Sequence, residues 1–371
     1  MCSPYAFTMR TQVSGLNVVG YHRQSLGIGA EARRVVRCLR AAGIPVSTID
    51  APGSSSEVLH STPASDNQWS FETTLSIVAG DQLLNCMNVL GFKNFQRGIH
   101  VGMWYWELMK INDAMKAAVR YVDHLVAGSD FIYGCLARST DKPVLRFPLT
   151  NPSVVNANKS RTSLGLPEDR LVFLCTFDFF SVIERKNPVD TIEAFKKAFS
   201  ENEGPLLVIK SQNGHHLPAD LVSVRKAIDN RKDIIHIDKH VDEATQASYL
   251  QSADLLVSLH RSEGLGLHIL EALLRDVPVL STGFSAPIEF LDLSNSLQVD
   301  YALVPVQNGN GVYPGGYLWA QPDVQHAAHL MRELWLDQAR LKALTVGTQE
   351  VRRHLQSDEI AGMVFEKLLV K

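Results

Sequence analysis

Two parallel-sheet α/β domains facing each other across a cleft are the architecture that three features of this sequence predict. Short β-branched runs alternate with longer amphipathic segments, the pattern of parallel α/β structure. The series breaks once, at a polar stretch without periodicity (150–170), and then restarts. A chain of 371 residues, 45% of them hydrophobic, is long enough for each half to bury its own core.

The elements follow in order. "LNVVGY" (16–21) reads as a buried strand. "GAEARRVVRCLRAAG" (29–43) reads as a helix with Val35, Val36 and Leu39 inward and Gly43 as its stop. "PVSTID" (45–50), "TLSIVAG" (74–80), "IHVGMWYWEL" (99–108), "HLVAGS" (124–129) and "PVLRFP" (143–148) complete the strands of the first half. After the polar stretch come the strand "LVFLCTFDF" (171–179), the helix "NPVDTIEAFKKAFS" (187–200) and the strands at 205–211, 233–238, 254–259 and 277–282. The predicted division is 1–155 for the first domain and 156–350 for the second. The segment 351–371, whose "SDEIAGMVFEKLLV" (357–370) is amphipathic, is suited to cross back to the first domain. "GNGVYPGGY" (309–317) reads as a turn-rich loop.

Composition excludes several classes. The formal net charge of -3 gives no basic field for nucleic acid. Five scattered cysteines (Cys2, Cys38, Cys86, Cys135, Cys175), with no CxxC pair and an odd count, fit buried thiols in the cytoplasm better than a disulfide framework. The N-terminus lacks the basic and apolar regions of a secretory signal, and no apolar run approaches the ~20 residues of a membrane span. A soluble or at most peripheral protein is expected. The basic helix face Arg33, Arg34, Arg37 and Arg40 is the one feature that suits an anionic membrane surface, although such stripes are usually solvated.

Three segments carry chemistry. In "HRSEGLGLHILEALLRDVPVL" (260–280), the strand 254–259 runs through His260, Arg261 and Ser262 into Glu263, turns through Gly264, Leu265 and Gly266, and enters a helix from about 267 to 275. Glycines there let backbone N–H groups approach a ligand, and the helix start favours an anion. Glu263 would sit beside such a phosphate rather than on it, where a hydroxyl-rich group suits an acceptor-only carboxylate; Glu271 suits a second diol. Taken alone, Glu263 is equally readable as a first-turn acid stabilising the helix dipole. Glu271 is equally readable as a solvated helix residue, though Leu270, Ala272 and Leu273 around it argue against full exposure.

In "FDFFSVIERKNPVDTIEAF" (177–195), Arg185 and Lys186 lie on a loop beyond a strand, where a planar fork and a point charge suit a diphosphate. "GYHRQSLGIGAEARR" (20–34) is a loose copy of the dinucleotide fingerprint, with Asp50 near the ribose-acid position, but "HRQSL" separates its glycines from the strand. Gly27 and Gly29 remain a plausible phosphate-facing helix start. Asp81, Gln82 and Glu107 follow first-domain strands and suit an acceptor side. Trp104, Tyr105 and Trp106 suit either sugar stacking or a core beneath a loop. His100 and His124 belong to no ligand cluster.

With these segments in hand, the chain resembles the retaining glycosyltransferases of the GT-B fold, family 4. Glu263 and Glu271 stand in that family's glutamate–seven residues–glutamate motif, within "RSEGLGLHILEALLRDVPVLSTGFSAPIEFL" (261–291). "ERKNPVDTIEAFKKAF" (184–199), "LLVIKSQNG" (206–214), "NSLQVDYALVPV" (295–306) and "YLWAQPD" (317–323) also look family-like. "GIGAEARR" (27–34), "AGDQ" (79–82) and "GMWYWEL" (102–108) do so more loosely.

The resemblance implies two Rossmann-like domains and a nucleotide-diphosphate sugar as donor, with a GDP- or UDP-hexose the expected form. It implies Glu263 on the donor sugar, Glu271 on the ribose, and Gly264, Leu265 and Gly266 presenting amides. Arg185 and Lys186 would hold the diphosphate, with Gly27 and Gly29 closing from the other domain. No metal and no further cofactor are expected. The implied role is elongation of a surface polysaccharide or its lipid-linked precursor, in the cytoplasm, with peripheral contact at the inner membrane face as a further expectation. Base, sugar, acceptor, linkage and oligomeric state stay open. One departure is His268, where the family usually has a small residue or proline. A GT-B epimerase or hydrolase, a non-catalytic nucleotide-sugar binder and, more distantly, a nicotinamide enzyme are the alternative expectations.

Overall fold

The computed structural model describes residues 15–24, 26–53, 64–152, 155–309 and 311–366. Cys2 and the end of the 357–370 segment lie outside them.

The first half builds a six-stranded sheet from β1 (Leu16–Gly20), β2 (Val46–Asp50), β3 (Thr73–Ile77), β4 (His100–Met103), β5 (His124–Ala127) and β6 (Val144–Arg146). Every pairing is parallel, in the order β2-β1-β3-β4-β5-β6. The second half builds another from β7 (Val172–Asp178), β8 (Leu206–Gln212), β9 (Ile234–Asp238), β10 (Leu255–Ser258), β11 (Val279–Thr282) and β12 (Ser296–Val299), again all parallel, in the order β12-β11-β10-β7-β8-β9.

The run "LNVVG" forms β1 because it is buried on both faces, as central strands of parallel sheets are. The helix Gly27–Ala41 turns Ala32, Val35, Val36 and Leu39 into the core and ends before Gly43, whose φ of +75° only glycine adopts freely. The 99–108 segment is a strand only through Met103. Trp104 then packs at 0% exposure and Trp106 at 3%, so these aromatics form the core beneath the loop. Buried side chains cover both faces of each sheet, the condition an all-parallel sheet requires.

The strands expected from the sequence end at 277–282, so β12 and the hairpin that follows it come only from the structure. β13 (Tyr301–Pro305) and β14 (Leu318–Pro322) form an antiparallel hairpin whose connection contains the Gly-rich loop. At the chain's end, the helix Asp358–Met363 lies on the first domain. Arg37 Nε donates to Asp358 Oδ2 at 2.6 Å, and Phe365 meets Phe147 at 5.6 Å between ring centroids. A Cβ on Gly362 would sit 2.2 Å from the Cys38 carbonyl oxygen, so only glycine allows this approach.

The two domains also meet across the cleft. Ser129 Oγ donates to the Gly264 carbonyl at 2.8 Å. Glu289 accepts from the backbone N–H of Asp130 and Phe131 and pairs with Arg146.

The basic helix face is committed to protein. Arg34 is buried against Glu31 and Thr150, Arg37 holds Asp358, and Arg33 donates to the carbonyls of His22 and Gln24. Of the four, only Arg40 is exposed, which removes the stripe as a ground for membrane contact. Among the described residues no helix is long and apolar enough to cross a membrane.

Candidate active site

Strand order decides where a ligand can sit. In open parallel sheets the crevice forms at the carboxyl ends of the strands, where the order reverses. In the second sheet this point lies between β7 and β10. The loop after β7 carries Arg185 and Lys186, and the loop after β10 carries Glu263. Residues 77 and 78 positions apart in sequence thereby converge.

Local structure fixes them. Arg185 and Lys186 lie not on an open loop but in a single helical turn, Ile183–Lys186. Val182 (φ +60°) and Asn187 (φ +54°) flank this turn in conformations that bend the chain sharply on both sides. Asn187 Nδ2 donates to the Leu259 carbonyl at 2.9 Å, and the Arg261 N–H to the Arg185 carbonyl at 2.8 Å. These bonds stitch the two loops together.

Glu263 is 6% exposed and lies between both cations, with Arg185 Nη1 at 3.0 Å and Lys186 Nζ at 2.5 Å. Burial alone would raise its carboxyl. Lys186 and Arg185 outweigh burial and hold it well below the usual carboxylate range. Such enclosure is more than a solvated first-turn acid needs. Arg185 Nη1 also donates to the Ser262 carbonyl at 3.0 Å, while its Nε is buried with no partner among the described residues.

The turn beyond Glu263 presents open donors. Among the described residues none accepts from the backbone N–H of Gly264, Leu265, Gly266, Leu267 or His268. Gly266 has φ +83°, and a Cβ there would lie 2.8 Å from Pro287 Cγ. Gly266→Ala should therefore cost about 1–2 kcal/mol from the left-handed backbone alone, before Pro287 is displaced. Chemical denaturation checks this; an unchanged midpoint would contradict the strain assigned to the turn.

The helix from this turn runs over Leu267–Leu273, shorter than expected. Glu271 is half-buried on it, and its carboxyl makes no hydrogen bond or ion pair among the described residues. Burial pushes it up to about 7, against the pull of Arg275, with Glu243 adding to the rise. A carboxyl in this condition is ready to accept from a ligand.

Across the cleft, the first sheet reverses between β1 and β3, so Gly27, Gly29 and Asp81 follow strands at its own switch point. A Cβ on Gly27 would meet nothing within 4 Å, whereas one on Gly29 would lie 2.6 Å from the Tyr21 carbonyl oxygen. Gly27 therefore borders open space, and Gly29 is required by packing. Neither is hydrogen-bonded to the Arg185–Lys186–Glu263 cluster. Their helix reaches the second domain through Arg33, 3.8 Å from Glu243, the same carboxylate whose charge acts on Glu271. Asp81 is half-buried and raised by burial, and Gln82 is exposed.

Glu107 proves closest to the cluster from the first domain. Its Oε1 is 4.0 Å from Arg185 Nη2, its Oε2 accepts from Tyr313 at 2.8 Å, and its carbonyl accepts from Ser262 Oγ. Tyr313, in the Gly-rich loop, was missed because nothing in spacing links positions 206 apart. His260, with Ser258, was also missed; it is wholly buried behind the turn. His100 is structural, lying between Ser76 Oγ at 2.9 Å and the Tyr121 carbonyl at 2.6 Å.

No protein-family model matches the chain, and no curated protein matches it. Solved structures share its fold. A sucrose-phosphate synthase from Thermosynechococcus elongatus is 13% identical with a TM-score of 0.68, over 96% of this chain and 98% of that one. A glycosyltransferase from Rickettsia africae is 12% identical with a TM-score of 0.65, over 96% and 97%. HepE of Anabaena, determined with UDP-glucose, is 12% identical with a TM-score of 0.66, over 95% and 99%. At such identities the likeness establishes architecture: the fold is the two-domain GT-B arrangement.

Proposed function

We propose that this chain is a retaining glycosyltransferase of the family-4 type that moves a hexose from a nucleotide-diphosphate sugar to a glycan or lipid-linked acceptor. The observation that carries the reading is the buried Arg185–Lys186–Glu263 cluster, placed at the sheet's switch point beside a turn of open amides. Departure of a nucleoside diphosphate develops negative charge on the bridging oxygen. Two desolvated cations and preorganised N–H groups stabilise that charge without reorganising. Glu263 accepts from the transferred sugar, Glu271 from the ribose, and Glu107 lines the acceptor side. The solved HepE complex with UDP-glucose makes UDP-sugars the first candidates and GDP-sugars the second. Four buried free thiols (Cys38, Cys86, Cys135, Cys175) support a reducing, cytoplasmic setting, with surface polysaccharide synthesis as the pathway class.

The test is a thermal-shift screen of UDP-, GDP- and ADP-sugars and their parent diphosphates, with and without magnesium. A ligand at a hundredfold its dissociation constant stabilises by about 2.7 kcal/mol. A shift by one nucleotide family is expected, followed by acceptor-dependent release of the diphosphate. Turnover without acceptor would point instead to the epimerase or hydrolase reading. Binding without any turnover would leave a nucleotide-sugar binder.

The donor site also carries a pH signature. Burial pushes the free Glu271 carboxyl up to about 7, and its ionised form is much the better acceptor for both hydroxyls of a diol. Binding therefore releases a proton, so donor affinity rises with pH up to neutrality and then levels. Below that point the loss approaches about tenfold per pH unit, the limit for one linked proton. A nucleotide sugar has no group of its own titrating near neutrality, which makes calorimetry against pH a direct check. Glu271→Gln should flatten the profile; an equally steep profile in the variant would remove Glu271 from the ribose.

A further inference from the structure

A chain of hydrogen bonds behind the glycine turn fixes the chemistry of a side chain that the proposed mechanism leaves unused. His260 Nε2 lies 3.2 Å from the Phe284 carbonyl oxygen, and His260 Nδ1 lies 3.0 Å from Ser258 Oγ. Ser258 Oγ in turn lies 3.3 Å from His268 Nε2. The Phe284 carbonyl can only accept, so His260 must carry its proton on Nε2. Burial holds His260 at about 4, so it is neutral and Nδ1 is a bare acceptor. The one hydroxyl proton of Ser258 must then point to His260 Nδ1. Ser258 Oγ is left as an acceptor, which requires the proton of His268 on Nε2.

The outcome is a His268 whose Nδ1 lone pair is unused. His268 is half-buried on the second residue of the helix that begins at the turn, and Nδ1 has no partner among the described residues. Burial and the neighbouring Lys186 push it down to about 3, with Arg185 acting in the same direction and Glu263 opposing. Apart from His260, which also lowers it, the groups acting on it electrostatically are those of the cluster assigned to the donor. An imidazole in this state offers a phosphate oxygen only a lone pair facing a lone pair. It offers a hydroxyl a good acceptor.

Resting on the donor-site reading above, we propose that His268 is a specificity-determining residue that accepts, through Nδ1, a hydrogen bond from a hydroxyl of the nucleotide sugar, with its tautomer set by the Ser258–His260–Phe284 chain. Sugar and ribose both supply such hydroxyls, and the test separates them.

The measurement has two parts. In the free protein, nitrogen NMR of labelled histidines should show His268 as the neutral Nε2–H tautomer, its signals identified by their loss in His268→Asn. A proton on Nδ1, or a charged ring at neutral pH, would overturn the inference without any ligand. Calorimetry on wild type, His268→Ala and His268→Asn then uses a UDP-sugar, UDP and the 2′-deoxyribose form of the UDP-sugar, or the equivalents for whichever base the wild type binds. His268→Ala should weaken binding of the UDP-sugar about tenfold, the worth of one hydrogen bond in a desolvated site. His268→Asn places an amide oxygen near the position of Nδ1 and should restore most of the affinity, a rescue that a merely structural role would not show.

A loss seen with both forms of the UDP-sugar but not with UDP identifies a sugar hydroxyl. A loss shared by UDP, and absent with the deoxyribose form, identifies the ribose 2′-hydroxyl; one shared by all three identifies its 3′-hydroxyl. Unchanged affinity of His268→Ala for every ligand, with wild type binding normally, overturns this inference and leaves the proposed function standing. A wild type that binds none of them overturns the proposed function itself.

Discussion

Glu263→Gln is expected to lower sugar transfer by about 10²–10³-fold, the effect of removing one preorganised electrostatic group from a desolvated site. It should also destabilise the protein. The carboxylate is the shared anion of buried Arg185 and of Lys186, whose side chain is 13% exposed. Arg185 keeps Glu107 at 4.0 Å, but Lys186 loses its ion-pair partner. Removing one member of a buried pair costs about 3–5 kcal/mol, and the amide oxygen, which still accepts from Lys186, puts this variant toward the low end. The chain should therefore remain folded with a reduced melting temperature.

The pH dependence has a definite sign. The folded-state carboxyl lies well below its ordinary value of 4.5, so its contribution is complete above that value and disappears as pH falls through the folded value. The stability gap between wild type and Glu263→Gln should narrow in strong acid. Wild-type transfer at an unchanged melting temperature would remove Glu263 from both roles.

Arg185→Ala should have the second-largest effect. Its Nη1 joins the Ser262 carbonyl to Glu263, and its Nη2 faces Glu107 from the other domain. Loss of a charge-assisted hydrogen bond to a phosphate is worth about 1.5–3 kcal/mol, so diphosphate affinity should fall roughly 10–150-fold. A lysine at the same place should not restore it. One ammonium cannot span the carbonyl, the carboxylate and a ligand as the planar fork does. Calorimetry with the parent diphosphate, alongside a melting curve, separates lost binding from lost fold. Equal affinity in Arg185→Ala would exclude the diphosphate from this position.

Much of this site was legible because its parts are local. The glycine turn, the Glu263–Glu271 spacing and the Arg185–Lys186 pair each lie within one strand–loop–helix unit, where residue type reports directly on backbone conformation and charge. The helix Gly27–Ala41 declared itself through its inward Val35, Val36 and Leu39. Glu107 was visible as a residue following a strand, but not as a neighbour of Arg185. Trp104, Tyr105 and Trp106 were ambiguous because an aromatic run serves a core and a sugar platform equally well; burial of both tryptophans settled it for the core.

The sequence by itself determined the α/β class, the two-sheet plan and the chemistry of the loops, because periodicity, glycine turns and charge act over short distances. Tertiary structure alone decided the rest. It set the strand order that places the loops after β7 and β10 together, and the Tyr313–Glu107–Arg185 bridge between domains. It also set the paired cations that hold the Glu263 carboxyl down against its burial, and the desolvation that pushes the Glu271 carboxyl up to about 7. The two glutamates are the same residue type eight positions apart, so no local rule separates them. What separates them is the company each keeps once buried: two cations around Glu263 and, among the described residues, no bonded partner at Glu271.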